Sequence, residues 1–270
     1  MAKNLESFEL IFPEKNKEGK RFFPDGEVYM RLSGINSFKN RRIIVLHSGA
    51  PNPNNGLMEL DLILQILKDH KIRPELFFTY FPYSRQDKVF QRGETNAAEN
   101  LIKKAVKYYK VRKIYAIDPH FGKMPWLKKY PVISVSAAHL LMQKAREDFG
   151  QDILFLSPDR GGKRRTGISG LNKKRIDSFG VDFYPSQIIF RGGVIGVIDD
   201  ILATGGTLSK FYDYASASGA SKVIALITHA PFKAGVKRVK NKFFKLYLTN
   251  TVKIKEANVD ISRLIADNLK

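Results

Sequence analysis

Short apolar runs rich in β-branched residues alternate along this chain with stretches whose apolar positions recur three and four residues apart. The first kind predicts strands at 41–47, 75–80, 112–117, 131–135, 153–157, 193–198, 222–228 and 243–249. The second kind predicts helices. Leu57, Leu60, Leu64 and Leu67 share one helical face, as do Ala98, Leu101, Ile102, Ala105 and Tyr109, and again Ala137, Leu140, Leu141 and Ala145. Alternation at this pace implies βαβ units and an α/β fold with a largely parallel sheet. Strands that are apolar at nearly every position suit a sheet covered on both faces.

The pattern also suggests a weak internal repeat. A strand ending at His47 leads through the Gly/Pro/Asn-rich loop 49–56 into a helix, and a second strand ends at Phe81-Pro82. A strand ending at Ile198 similarly leads through a Gly/Thr loop into a helix from about Leu208, and the next strand ends near Ala230-Pro231. Two similar α/β halves, 1–140 and 141–270, are the expectation, with a final helix at about 258–270 as a candidate to return to the first half.

Composition narrows the class. With 43% hydrophobic residues the chain can bury a core without metal or disulfide staples. It has no cysteine, which excludes disulfides, zinc-thiolate sites and thiol nucleophiles and fits a reducing, cytoplasmic compartment. Residues 1–20 are charged throughout and do not read as a secretory signal. The longest apolar runs, such as 193–198 and 223–227, have strand length, so no membrane span is expected. The formal charge of +20 favours anionic ligands. The basic residues are dispersed, and the densest group, 233–245, reads as a solvated face, so no specific nucleic-acid partner is expected.

Chemistry concentrates at 194–208, VIGVIDDILATGGTL. A buried strand delivers Asp199 and Asp200 to its carboxyl end, where ligands of open α/β sheets bind. The following Thr204-Gly205-Gly206-Thr207 allows several N–H groups to point inward at a helix start, a cradle for a monophosphate. The two carboxylates suit a ribose diol or a magnesium-bound water. The bland alternative is an ordinary strand-to-helix turn with an acidic end.

The segment resembles the phosphoribosyl-pyrophosphate motif shared by phosphoribosyltransferases and ribose-phosphate pyrophosphokinases. Other segments choose between them. Residues 22–31 (FFPDGEVYMR), 52–60 (NPNNGLMEL), 78–87 (FTYFPYSRQD), 114–121 (IYAIDPHF) and 156–162 (LSPDRGG) resemble pyrophosphokinase segments in the same order. Residues 226–232 (LITHAPF) and 248–251 (LTNT) echo two more. The chain is thus identified as similar to the compact archaeal-type members of that family.

The resemblance implies two halves of phosphoribosyltransferase-like fold, an ATP-side domain over 1–140 and a ribose-5-phosphate domain over 141–270. It implies a transferase of nucleotide biosynthesis that moves the diphosphoryl group of ATP to the anomeric hydroxyl of ribose 5-phosphate. ATP would meet Phe23, Asp25, Glu27, Arg85, Gln86 and His120. Ribose 5-phosphate would meet Arg175, Asp199, Asp200, Ala203, Thr204, Gly205, Gly206 and Thr207. Magnesium would be held at His120 and Asp159, with Asp118 as a further candidate, and Lys173 and Arg175 would be the catalytic pair of a mobile loop. The family's ATP hairpin comes from an adjacent subunit, so a homo-oligomer, dimer or hexamer, is implied. Two departures stand out: Ala203 replaces an acidic or hydroxyl residue, and only 14 positions separate Asp159 from Lys173. They keep open a weakly active or non-catalytic member that regulates a partner. A phosphoribosyltransferase would fit 194–208 but not 22–31 or 78–87.

Overall fold

The computed structural model describes residues 9–158 and 190–270, and between them the backbone of two short strands, 173–175 and 181–183. The chain forms two compact units. One runs through Ala116 and takes in Met124–Ile133 and Arg263–Lys270; the other comprises Ile117–Lys123 and Ser134–Ser262.

The first unit is built on β1 (Ile44–Ser48), α1 (Pro53–Asp69), β2 (Glu75–Tyr80), α2 (Ala97–Lys107) and the first residues of β3 (Ile114–Ile117) and β4 (Val132–Val135), with sheet order β1-β2-β3-β4. Asn52 starts α1 by accepting from the Asn55 amide at 3.2 Å, with proline at the first helical position. Asn96 caps α2 by accepting from Glu99 N–H at 3.0 Å, and the Glu99 carboxylate accepts in return from the Asn96 amide group. The expected apolar face of α1 is largely met, with Leu60, Leu64 and Leu67 buried. β2 is buried along its whole length, whereas β1, at one end of the sheet, leaves Leu46 exposed.

Glu75 opens β2 as a buried carboxylate, and Arg42 satisfies it with two bonds, Nε at 3.1 Å and Nη2 at 2.9 Å. This fork holds the Glu75 carboxyl below the usual carboxylate range. Nη1 of the same guanidinium donates to the Leu269 carbonyl, tying the end of the chain to this unit. The final helix, α6, is shorter than expected, at Ser262–Asn268.

The second unit carries α3 (Ala138–Phe149), β5 (Ile153–Leu156), the antiparallel pair β6 (Lys173–Arg175) and β7 (Val181–Phe183), β8 (Val194–Ile201), α4 (Gly206–Ala217), β9 (Lys222–His229), α5 (Lys233–Lys242) and β10 (Lys245–Leu248). Its main sheet has the order β10-β9-β8-β5 with parallel neighbours. The two faces read out alternately. Ile195, Val197, Val223, Ala225 and Ile227 pack in a core with Leu208, Phe211, Val236 and Val239 of α4 and α5. Ile198, Ile224 and Leu226 pack with Ala138, Leu141 and Ala145 of α3. Two covered faces explain the unbroken apolar runs of β8 and β9.

All eight expected strands are present within a few residues of their predicted bounds. The repeat holds for a βαβ unit but not for sheet position. β1 lies at the end of its sheet, whereas β8 is flanked by β5 and β9. βαβ units look alike in sequence, while sheet position is decided by pairing between distant strands. The β6–β7 pair was not predicted, because three-residue strands carry no usable periodicity.

His47 in β1 is buried, with no hydrogen-bond partner for Nε2 among the described residues, and meets the Phe78 ring edge-on at 6.0 Å. Loss of water pushes its pKa down to about 4, opposed by the Gly56 backbone. The neutral ring is favoured by folding, so its contribution is full above the unfolded value of about 6.5 and is lost as pH falls towards about 4. On going from pH 7 to pH 4.5, a His47→Phe chain should lose about 2 kcal/mol less stability than the unaltered chain. Urea denaturation at the two pH values checks this, and equal losses would refute it.

Candidate active site

The end of β8 separates the two predicted aspartates. Successive side chains of a strand point to opposite faces. Asp200 is buried at 3% exposure, whereas Asp199 is half-buried and its carboxylate accepts from the Asp200 amide at 3.0 Å. Beyond Leu202 the chain turns into α4. Gly205 takes the N-cap position with φ 76°, a left-handed conformation that favours glycine. The helix therefore begins at Gly206, two residues before the expected Leu208. The first N–H groups of a helix lack intrahelical acceptors and carry the positive end of its dipole. Thr204 is exposed at the rim, Thr207 lies in the first turn, and Ala203 offers its backbone rather than a polar side chain.

This loop is seated on α5. A Cβ added at Gly235 would lie 1.9 Å from the Ala203 carbonyl oxygen, and one at Gly205 would lie 3.3 Å from Val239 Cγ2 and 3.4 Å from the Gly235 carbonyl. Backbone lies against backbone. The 233–245 segment is thus more than the expected solvated face: Lys233, Lys237, Arg238 and Lys240 are exposed, but Gly235, Val236 and Val239 are buried beneath the loop.

The second structural element of the site is the turn 117–123. His120 Nδ1 lies 2.8 Å from Asp200 Oδ2. Asp118 takes φ 32° and its Oδ2 accepts from the Ala137 amide at 3.0 Å and from Thr228 Oγ1 at 2.8 Å. Burial pushes the Asp118 carboxyl up, against the Ala137 and Thr228 bonds and the neighbouring His229. His229, at 1% exposure, spans Ile117 O at 3.0 Å and Thr251 Oγ1 at 2.9 Å. Burial pushes its imidazole down, opposed by Asp118 and Asp200. This strand-end network was not foreseen. Its sequence signal was present in the 226–232 and 248–251 segments, where Thr228-His229 and Thr249–Thr251 carried no assigned role.

Of the predicted nucleotide residues, Phe23, Asp25, Glu27, Arg85 and Gln86 belong to the first unit, whereas His120 belongs to the second. Phe23, Asp25 and Glu27 sit on an exposed hairpin closed by Phe23 N–H to Glu27 O at 2.8 Å and by the Phe22–Val28 bridge. Gly26 supplies its turn at φ 95°. The Asp25 carboxylate accepts from Glu27 N–H at 3.1 Å, and Phe23 meets Tyr29 edge-on at 6.1 Å. Arg85 and Gln86 are exposed in the loop after β2, where the Gln86 carbonyl accepts from Ala98 at the start of α2. No hydrogen bond or ion pair among the described residues joins the hairpin to Arg85 or Gln86. Asp159 lies outside the described residues. Lys173 and Arg175 fall in β6, and their side chains are outside the described set.

No group of three metal-ligating side chains converges among the described residues. The His120–Asp200 pair nevertheless suits a bound cation. A ligating imidazole commonly donates its second ring N–H to a carboxylate, which fixes the ring and directs the other nitrogen to the metal. Magnesium keeps several waters and needs few protein ligands.

The glycine seat makes a distinct prediction. Gly235→Ala forces the 203–206 loop or α5 to move and should cost about 1–3 kcal/mol. Gly206→Ala, whose added Cβ would meet nothing nearer than Thr204 Oγ1 at 3.7 Å, should cost less than about 1 kcal/mol. Chemical denaturation of the two variants checks the order, and equal costs would refute the seat.

A profile of the N-terminal domain of ribose phosphate pyrophosphokinase matches residues 14–104. The ribose-phosphate pyrophosphokinase of Pyrococcus furiosus is 31% identical over 276 residues, covering 96% of this chain and 95% of that protein. Ribose-phosphate pyrophosphokinase 2 of Archaeoglobus fulgidus is 29% identical, covering 92% and 89%. The phosphoribosylpyrophosphate synthetase crystal structure from Mycobacterium smegmatis shares the fold, with a TM-score of 0.79, 23% identity, and coverage of 99% and 92%. Two parallel-sheet units, a glycine-capped loop after paired aspartates and near full-length similarity to archaeal relatives lead to one assignment: the chain belongs to the ribose-phosphate pyrophosphokinase family.

Proposed function

We propose that this protein is a ribose-phosphate diphosphokinase, converting ATP and ribose 5-phosphate to phosphoribosyl pyrophosphate and AMP. The observation that carries the reading is the glycine-capped turn at 203–207, placed directly after Asp199 and Asp200 at the end of a buried parallel strand. Loop and helix N–H groups would grip the 5-phosphate, and Asp199 would orient the ribose hydroxyls. Asp200, engaged with His120, would hold that imidazole towards a magnesium ion shared with Asp159. When bound, magnesium neutralises charge on the phosphoryl oxygens.

The anomeric hydroxyl oxygen attacks the β-phosphorus of ATP, the bond from that phosphorus to the oxygen bridging to the α-phosphate breaks, and AMP leaves while the hydroxyl proton passes to solvent. Charge accumulates on oxygens, so positioning and cations matter more than a strong base. Lys173, Arg175 and Arg85 would supply positive charge, with Phe23 stacking on adenine and Asp25, Glu27 and Gln86 taking polar groups of the nucleotide. The 21–29 hairpin would serve a neighbouring copy in a dimer or hexamer. Its exposure, with Phe22 at 39% and Phe23 at 43%, supports that reading. None of the helices among the described residues is long and apolar enough to cross a membrane; we place the enzyme in the cytoplasm.

Incubating the protein with ATP, magnesium and ribose 5-phosphate should release AMP in step with phosphoribosyl pyrophosphate. Nucleotide binding without AMP would instead favour a regulatory member, a reading that Ala203 and the short 159–173 interval keep in view. Lys173→Ala should lower turnover by on the order of 10² or more with ATP binding largely intact. Unchanged turnover would remove Lys173 from the mechanism.

A further inference from the structure

We propose that His229 is a positioning residue for this reaction: its imidazole, bridging the Ile117 carbonyl and the Thr251 hydroxyl, fixes the turn that aims His120. The inference rests on the functional reading above for its kinetic consequence, and on geometry alone for the bridge itself.

The Ile117 bond fixes one proton of the ring. The Ile117 carbonyl can only accept, so the Nε2 that lies 3.0 Å from it carries the hydrogen. In the neutral ring Nδ1 is then an acceptor, and the Thr251 hydroxyl at 2.9 Å is the donor within its reach. That hydroxyl also lies 2.8 Å from the Thr228 carbonyl, to which Thr249 Oγ1 donates at 2.5 Å, so its one hydrogen is shared between Nδ1 and that carbonyl. Thr251 N–H in turn donates to Thr249 Oγ1 at 3.3 Å.

The same strand end grips the next residue from its other side. Thr228 Oγ1 donates to the Asp118 carboxylate at 2.8 Å. Adjacent residues of β9 thus hold adjacent residues of the turn, the imidazole taking the Ile117 carbonyl and the hydroxyl taking the Asp118 side chain. Between these holds Asp118 adopts φ 32°, a conformation that side-chain-bearing residues rarely take and that persists only where surroundings enforce it. His120 follows two residues later and meets Asp200 at 2.8 Å. An apolar residue at 229 would fill the same space, but it could not hold a carbonyl.

Two substitutions separate positioning from filling. His229→Gln keeps an N–H donor that reaches towards Ile117, while His229→Leu keeps only volume. His229→Leu should lower kcat on the order of 10²-fold with the KM for ribose 5-phosphate within about threefold, because a small misplacement of catalytic groups costs rate and the 203–207 loop is seated independently. His229→Gln should recover at least about tenfold of that loss. Equal impairment of the two variants, or undiminished kcat in His229→Leu, would overturn the proposal.

Nitrogen-15 spectra of the five histidines at pH 7.5 without ligands give a readout independent of turnover. Nε2 of His229 should appear protonated and Nδ1 unprotonated, and the reverse tautomer would overturn the bridge even if His229→Leu fails to fold. The His120 ring signals should move in His229→Leu and stay in His229→Gln; unmoved signals in His229→Leu would contradict the positioning role. If the unaltered chain releases no AMP, the diphosphokinase reading fails while these spectra still decide the role of His229.

Discussion

The site in the second unit depends on one close approach, the Ala203 carbonyl lying over Gly235 where no side chain can fit. Backbone contact of this kind fixes the loop without any polar side chain of its own. Protein interiors are close-packed and respond to even a single added carbon, so the loop's position is inherited from the core beneath α5. Val236 and Val239 anchor that helix in the same cluster as Ile195 and Val197 of β8. The strand that delivers the aspartates and the helix that supports the loop therefore share one core. This also offers a physical reason why Ala203 is tolerated: its contribution is a carbonyl and a small side chain.

A second layer of control comes from strand ends rather than from helices. β9 stops at His229, and the residues at its tip hold the turn that carries Asp118 and His120. Buried polar groups in such a place must be satisfied, and here each has a named partner. Its named members are hydroxyls, one imidazole and a carboxylate.

Much of the fold was legible in the sequence because both strand and helix signals are local. The runs at 193–198 and 222–228 were apolar at nearly every position, and the structure covers both faces of β8 and β9. The 203–207 turn was equally legible, since a glycine pair after a buried strand marks where the chain can take the left-handed φ that a tight entry into a helix needs. The partnership of Asp200 with His120 was not, because those residues lie 80 positions apart and only folding brings them together. Asp199 and Asp200 read alike in sequence, yet the two-residue period of a strand gives them different faces. His229 stood in a segment that carried a signal but no role, and Gly235 carried none, because their importance lies in what they touch, Ile117 and Ala203, which no spacing rule encodes. The β6–β7 pair was too short to leave a pattern.

Phosphate recognition by the 203–207 backbone is the central claim, and amide spectra of the isotopically labelled protein titrated with ribose 5-phosphate test it most directly. Saturable shifts should centre on the amides of Gly205, Gly206 and Thr207 and should be lost when ribose replaces the phosphorylated sugar. Amides at 203–207 that stay still while ribose 5-phosphate saturates the protein elsewhere would contradict it.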